Sequence, residues 1–247
     1  AAINADLDTA ISVRTVFEAP TVAQLAPRIA GKSHTVSPLF AVERPAEVPL
    51  SFAQSRLWFL DQLQGPSPVY NMATALRISG NLDVDALSAA LADVVARHES
   101  LRTLFQAAAG VPQQRILPSE HAQFGWHVVD ATGWSAGQLQ EAIGEAARHT
   151  FDLAAEIPLR AQLFRITGDE HVLAAVVHHI AADAWSITPL VADLGVAYAS
   201  RSAGQAPGWA PLAVQYVDYT LWQRTELGDL DDGGSRIATQ VAHWQEA

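Results

Sequence analysis

Two adjacent histidines and a nearby aspartate form the densest group of chemically active side chains in the sequence. His178 and His179 are followed by three apolar residues, then by Asp183 and Ala184. An imidazole at the end of a buried strand can accept a proton near neutral pH, which makes it a natural general base. Because neighbouring side chains of a strand point to opposite faces, only one imidazole can face a given cavity. The other must pack inward and find a hydrogen-bond partner there.

Other interpretations of this group are open. A histidine pair beside a core strand can be purely structural. His178, His179 and Asp183 are also possible metal ligands, although adjacent strand histidines diverge and would bind one ion poorly. A Ser-His-Asp hydrolase would require a nucleophilic serine in a Gly-x-Ser-x-Gly elbow, and we expect no such elbow in this chain.

The elements around the histidines predict a mixed fold. Residues 172–177 (VLAAVV) are apolar on both faces, which predicts a central strand covered on both sides. Residues 125–129 are extended and alternating. A helix follows the histidines, with Leu190, Leu194 and Tyr198 on one face. Strands and helices alternate without a strict βαβ rhythm, so we predict an α/β sandwich.

Capping signals mark further helices. Asp83 precedes a helix that carries Leu87, Leu91 and Val94 on one face, and the pair Ser135 and Gln138 has the spacing of a capping box. The second helix should bury residues 139, 143 and 146. Near the end of the sequence, residues 237, 241 and 244 form an apolar stripe on a last helix.

The first fifty residues differ in composition from the rest. Residues 21–31 predict a short helix with Thr21 and Gln24 as a capping box, and Pro27 should kink or shorten it before Gly31 ends it. Residues 32–49 have no sustained period and predict a linker. A new domain should therefore begin near Leu50.

The overall composition narrows the function classes. A net charge of -11 argues against a nucleic-acid surface, which needs clustered Lys and Arg. No window approaches the roughly 20 apolar residues of a membrane span, and the first ten residues do not look like a secretion signal. The sequence has no cysteine, which excludes disulfides and thiolate chemistry. We expect a cytoplasmic protein with no membrane or nucleic-acid partner.

Four blocks of sequence resemble the motifs of nonribosomal peptide synthetase condensation domains. The run from His178 to Ala184 resembles the signature His-His-x-x-x-Asp-Gly. Residues 51–60 (SFAQSRLWFL), 97–105 (RHESLRTLF) and 216–222 (YVDYTLW) are similar to three other motifs of that family, in the same order. The resemblance covers nearly all of residues 50–247. It implies the N-terminal lobe of a two-lobed fold similar to chloramphenicol acetyltransferase, with the C-terminal lobe absent from this sequence.

The resemblance also implies roles for individual residues. His179 would lie where the two substrates meet, as general base or as a group that positions the attacking amine. His178 and Asp183 would be structural supports, with Asp183 paired to a cation. Arg56 and Trp58 would brace the site. Ala184 departs from the family glycine, and this is harmless if the backbone is ordinary and costly if a positive φ or close approach is needed.

Residues 13–26 resemble the third and fourth helices of a peptidyl carrier protein, which would make residues 1–31 the end of such a domain. The serine that carries 4'-phosphopantetheine lies upstream in that family and is not in this sequence. The resemblance therefore implies that no cofactor is bound directly. Phosphopantetheine would arrive on donor and acceptor carrier proteins, and the other partners would be the C-terminal lobe and an adjacent adenylation domain.

Related subtypes and a non-catalytic role remain as alternatives. Cyclisation domains carry aspartates in place of the histidines, so that subtype does not fit. Epimerisation domains usually continue Ser-Trp-Arg after the aspartate, whereas this sequence has Trp185, Ser186 and Ile187. The chain could also be a carrier-protein docking module that is catalytically disabled. As a single lobe, it is expected to be a poor catalyst alone.

Overall fold

A computed structural model of the chain describes residues 11–29 and 37–246. These residues divide into two compact units: residues 40–224 form one, and residues up to 39 together with those from 225 onward form the other. In the described residues, no helix combines the length and apolar character needed to cross a bilayer.

The larger unit contains two sheets. The strands are β1 (Val48–Pro49), β2 (Asn71–Ser79), β3 (Thr103–Ala108), β4 (Val111–Ile116), β5 (Gly125–Asp130), β6 (Leu159–Arg165) and β7 (Glu170–His178). The main sheet has the order β2-β7-β6-β5, in which only β5 and β6 run parallel. The smaller sheet has the order β1-β4-β3 and is antiparallel. The mixed sheet confirms that the chain lacks a strict βαβ arrangement.

Helices cover both sides of strand β7, as its apolar sequence predicts. In chain order the helices are α1 (Val13–Glu18), α2 (Val22–Ile29), α3 (Phe52–Gln64), α4 (Val84–Arg97), α5 (Ala136–Ala147), α6 (Ala184–Ser202), α7 (Tyr216–Leu227) and α8 (Arg236–Glu246). Val172 and Ala174 are buried with the face of α5 that carries Leu139 and Ile143. Leu173, between them, is buried with residues of α4 and α6 on the other side of the sheet. The strand is therefore internal to its sheet and enclosed on both faces.

The predicted helix caps are present. Asp83 accepts a hydrogen bond from the N–H of Ala86 at 2.9 Å, and Ser135 forms a complete capping box with Gln138. Leu87, Leu91 and Val94 of α4 are buried together, as their spacing predicts. One face of α6 carries Leu190, Leu194 and Tyr198, which pack against the core.

The larger unit begins ten residues before the predicted boundary at Leu50. Val48 is buried and pairs with Gln114 across β1 and β4. A two-residue strand has no periodicity that a sequence pattern could reveal, so the predicted linker over 32–49 includes residues that belong to the folded unit. Residues 32–36 of that range lie outside the described residues.

In the smaller unit, α1 and α2 are linked by ion pairs of Glu18 with Arg14 at 2.6 Å and with Arg28 at 3.1 Å. Thr21 caps α2 through the N–H of Gln24 at 3.4 Å, and no reciprocal bond between these two described residues completes the capping box. Pro27 lies inside α2, which the structure describes as far as Ile29, so the shortening at Pro27 stays a prediction. The predicted stop at Gly31 lies outside the described residues.

The last helix, α8, forms where the stripe of residues 237, 241 and 244 predicts it. Val241 and Trp244 are exposed, the indole by 77%.

Candidate active site

The histidine pair lies where strand β7 ends. His178 is the last residue of β7, and its N–H donates to Pro158 O at 3.0 Å. His179 begins a turn, and its N–H donates to Tyr70 O at 2.8 Å. His178 is buried, with 3% of its surface exposed, whereas His179 is exposed. The predicted divergence of the two imidazoles is therefore confirmed, and the structure identifies His179 as the exposed one.

His178 supports the turn from inside the core. Its Nδ1 accepts a hydrogen bond from the N–H of Ile180 at 3.1 Å. Its ring meets the edges of Tyr70 and Phe151, with ring centroids 6.3 and 6.1 Å away. Burial, and secondarily the neighbouring His179, lower the pKa of His178 to about 4. His178 is therefore neutral at physiological pH with its proton on Nε2, because Nδ1 is the acceptor.

His179 is the imidazole that solvent or a substrate can reach. Its ring makes no hydrogen bond with any other residue in the described part of the chain. The backbone bond to Tyr70 and the buried ring of His178 fix the turn from which it projects. A free ring nitrogen on a fixed backbone is what a general base or an amine-positioning group requires.

Asp183 differs from its expected role. No cation among residues 11–29 and 37–246 lies within ion-pair distance of its carboxylate, so the expected pairing is not seen in this part of the chain and stays a prediction. Asp183 instead caps α6: Oδ1 accepts from the N–H of Ser186 at 3.0 Å and from its hydroxyl at 2.7 Å. The N–H of Asp183 donates to Ser186 Oγ at 3.0 Å, which completes a capping box. The hydrogen-bond donors at the start of α6 satisfy the Asp183 carboxylate without a cation.

The backbone at Ala184 is ordinary. Ala184 is the first residue of α6 and is exposed, and the one non-glycine residue with positive φ among the described residues is Ala109. Of the two possibilities for this departure from the family glycine, the structure therefore excludes a need for positive φ.

Arg56 and Trp58 behave differently from each other. Trp58 is half-buried and packs against the main core, as a bracing residue would. Arg56 is exposed on α3, and the described residues offer it no hydrogen bond or ion pair. The predicted bracing role is therefore not seen for Arg56, because its position on the helix points it away from the packed face.

The expectation that the chain has no Gly-x-Ser-x-Gly motif is wrong, because residues 133–137 (GWSAG) carry that spacing. Ser135 is the N-cap of α5, and its hydroxyl donates to Gln138 Oε1 at 3.0 Å. No histidine contacts that hydroxyl in the described part of the chain. The serine therefore serves as a helix cap and not as a nucleophile, because an elbow requires a base within hydrogen-bond reach.

A metal centre finds no support in the geometry. The described residues contain no group of three His, Asp or Glu side chains arranged to hold an ion. His178 and His179 diverge, and the Asp183 carboxylate is engaged by Ser186, so these three side chains do not converge on one point.

Three of the four motif blocks meet behind the histidine turn through a buried polar network. Gln54, 2% exposed, accepts from the N–H of Ser51 at 2.9 Å. Its amide donates to Ile180 O at 3.5 Å and to Gln114 Oε1 at 3.4 Å. Ser51 Oγ in turn contacts the Tyr216 hydroxyl at 3.0 Å. The network joins the start of α3 to the turn after His179 and to the start of α7.

Sequence reasoning missed Gln54, Gln114 and Tyr70. Ser51 and Gln54 have the S-x-x-Q spacing of a capping box, which could have indicated the role of Gln54. Gln114 and Tyr70 act across 60 or more residues of chain, through Gln54 and through His179 N–H, and no local pattern marks such contacts.

The remaining block, residues 97–105, is joined to α6 and to the loop before α7. Arg97 Nε and His98 Nε2 both contact Asp193 Oδ2, at 2.9 and 2.7 Å. The amide of Gln215 donates to Arg97 O at 2.9 Å, and its Oε1 accepts from the N–H of Glu99 at 3.1 Å. This block therefore holds α6 at Asp193, near the middle of the helix, and among the described residues no hydrogen bond joins it to His178 or His179.

Comparison with known proteins places this geometry in a family. The sequence profile described as "Condensation domain" matches residues 45–247. The chain is 68% identical over 210 residues to an isonitrile lipopeptide synthase of Mycobacterium tuberculosis (strain ATCC 25618 / H37Rv), covering 85% of this chain and 8% of that protein. It is 50% identical over 236 residues to a dimodular nonribosomal peptide synthase of Bacillus subtilis (strain 168), covering 96% of this chain and 10% of that protein.

Solved structures share the fold. The X-domain in its complex with OxyB from teicoplanin biosynthesis superposes with a TM-score of 0.77 at 39% identity, covering 87% of this chain and 46% of that one. The chain thus spans a tenth or less of these curated relatives and under half of the solved domains of this fold. The predicted α/β class and the extent of one lobe are confirmed. The chain belongs to the condensation-domain family of nonribosomal peptide synthetases.

Proposed function

We propose that this chain supplies the histidine-bearing half of a domain that joins two carrier-bound thioester substrates through an amide bond. The observation that carries the proposal is the exposed imidazole of His179, fixed at the end of a buried strand by Tyr70 and His178. His178 cannot take this role because it is buried and its Nδ1 is occupied. The pair therefore offers one reactive ring and one supporting ring.

In the proposed reaction, the acceptor amine attacks the donor thioester carbonyl. A carbon–nitrogen bond forms and the carbon–sulfur bond breaks, releasing the thiol of the donor arm. The amine must lose one proton, which finally reaches the leaving sulfur. His179 would either accept this proton as a general base or hold the amine in place by a hydrogen bond. Orientation of the two substrates should provide most of the rate, because the reaction brings two tethered groups together.

The carriers and their phosphopantetheine arms are part of this proposal. Donor and acceptor carrier proteins would deliver the substrates, an adenylation domain would load them, and residues 11–29 would be the end of a carrier that precedes the domain. The chain itself would bind no resident cofactor. Since it covers under half of the solved domains of this fold, we propose that it is a weak catalyst unless the other half is present.

The deciding experiment is a single-turnover assay with loaded donor and acceptor carriers, using the two-lobed domain that contains this sequence. We expect His179→Ala to abolish product formation. The matched control is His127→Ala, which removes an exposed histidine of strand β5 at the far edge of the main sheet. Equal activity of the two variants would refute a catalytic role for His179.

A second assay addresses the division into halves. The chain alone should give little product, and adding a separately produced second half should restore it. Full activity of the chain alone would show that the second half is not needed.

A docking role is the second candidate, and one comparison favours it. The X-domain that shares this fold at 39% identity is named in a complex with OxyB. If this chain is likewise a docking module, His179→Ala will leave partner binding unchanged. Neither the wild-type two-lobed domain nor its His179→Ala variant will then form product. The single-turnover assay above separates the two functions directly.

A further inference from the structure

The chain enters the larger unit through residues 40–47, which have no helix or strand and which we call the entry segment. No backbone group of the entry segment forms a hydrogen bond with the described residues. Between this segment and the β3–β4 hairpin lies a cavity of about 450 Å³, bordered by Arg44, Ala46 and Gln106 among others. Main-chain pairing begins only at Val48. Any contact that fixes the entry segment before Val48 must therefore come from a side chain.

Arg44 is the side chain that reaches the folded unit. Its Nη1 lies 2.8 Å from Glu99 Oε2, and its Nε lies 3.7 Å from Asp218 Oδ1. Glu99 belongs to the block at 97–105 and Asp218 to helix α7. One guanidinium of the entry segment therefore joins two elements that are more than 100 residues apart in sequence.

The buried carboxylate of Asp218 depends on Arg44 for a compensating positive charge. Its side chain is 2% exposed, and Oδ2 is satisfied by the N–H of Gln215 at 2.7 Å. Oδ1 is buried without a hydrogen bond and faces Arg44, which is its sole ion-pair partner within the described ranges. Glu99, in contrast, is also contacted by Arg102 at 3.4 Å. A buried carboxylate requires a compensating charge, so the contact with Arg44 is enforced by the burial of Asp218.

We propose that Arg44 anchors the entry segment to the larger unit, so that the chain is fixed from Arg44 onward and not only from Val48, where main-chain pairing begins. The anchor therefore fixes the chain four residues before the first main-chain pair. This inference does not depend on the acyl-transfer reaction.

The absence of native cysteine makes the proposal directly measurable. A single Ala41→Cys substitution places a nitroxide label on an exposed position of the entry segment. We expect the electron paramagnetic resonance spectrum to show a restricted component when Arg44 is present. Arg44→Met should convert it to the narrow lines of a mobile label. Arg77→Met, which removes an exposed arginine paired with Glu170, is the control and should leave the spectrum unchanged.

A double variant separates anchoring from general loss of stability. Arg44→Met leaves the Asp218 carboxylate buried without a cation and should lower the melting temperature. Adding Asp218→Asn removes that charge and should restore much of the melting temperature, while the label stays mobile. A restricted spectrum in Arg44→Met, or a mobile spectrum with Arg44 intact, would overturn the proposal.

Discussion

The ring of His178 and the backbone N–H of Ile180 form a hydrogen bond of 3.1 Å that closes the turn carrying His179. The acceptor is Nδ1 of a buried imidazole, so this bond exists only while His178 is neutral. The side chain that would meet the substrate is therefore oriented by the neighbour that faces the other way.

Replacing His178 should cost more stability than replacing His179. His178→Ala removes a buried ring and leaves the Ile180 N–H without an acceptor, which should lower the free energy of unfolding by about 2–4 kcal/mol. His179→Ala removes an exposed side chain and should change it by less than about 0.5 kcal/mol. Urea unfolding followed by tryptophan fluorescence measures both. Equal losses would contradict the division of roles between the two rings.

The buried His178 also predicts a pH dependence of stability. Its folded pKa is lowered to about 4, below the ordinary 6.5. The unfolded chain therefore binds the proton more readily, so this contribution to stability is complete above pH 6.5 and declines as the pH falls toward 4. The loss over that range should approach roughly 3 kcal/mol.

A variant isolates this titration from that of the carboxylates. His178→Gln keeps an acceptor near Ile180 and cannot be protonated in this range. The difference in unfolding free energy between the wild-type chain and His178→Gln should change between pH 6.5 and 4 and stay constant above pH 7. A constant difference throughout would rule out His178 as the titrating group.

Asp183 should contribute as a helix cap. Asp183→Ala removes the acceptor for the Ser186 N–H and should cost about 1 kcal/mol, whereas Asp183→Asn preserves an oxygen at the same place and should cost much less. Chemical denaturation of the three proteins tests this. If the asparagine variant is as unstable as the alanine variant, then the charge of Asp183 matters through a partner beyond the described residues.

Restoring the family glycine at position 184 should bring no benefit. Ala184 is the first residue of α6, and φ is not positive there. Ala184→Gly should lower the unfolding free energy by up to about 1 kcal/mol, because glycine loses more backbone entropy in a helix. The single-turnover rate of the two-lobed domain should stay within about twofold. A large gain in rate would mean that the Ala184 methyl group obstructs the substrate path.

Gln54 should be needed for the histidine turn. Gln54→Leu leaves the Ser51 N–H, Ile180 O and Gln114 Oε1 without their partner, which should cost about 2–3 kcal/mol. Gln54→Glu can still accept from Ser51 and cannot donate to Ile180 or Gln114 when ionised, so it should recover only part of the loss. Thermal unfolding compares the three proteins. Full recovery by Gln54→Glu would show that capping of α3 alone explains the role of Gln54.

Local signals in the sequence determined much of this protein. The apolar run at 172–177 predicts the enclosed strand, and Asp83 and Ser135 mark helix starts. Both signals depend only on residues a few positions apart in sequence. The histidine block and the three accompanying motifs were sufficient to indicate the family. The alternation of side chains along a strand also predicted that the two imidazoles would face opposite ways.

Only the tertiary structure decided what surrounds those residues. It showed that His179 is the exposed ring, that Asp183 binds Ser186 in place of a cation, and that Arg56 points away from the packed face. It also brought Arg44 to Asp218 and Gln54 to Ile180, across 174 and 126 residues of chain respectively. Such contacts depend on how strands and helices pack. A polar group that this packing buries must find a partner wherever in the chain one lies, and that requirement leaves no periodic trace in the sequence.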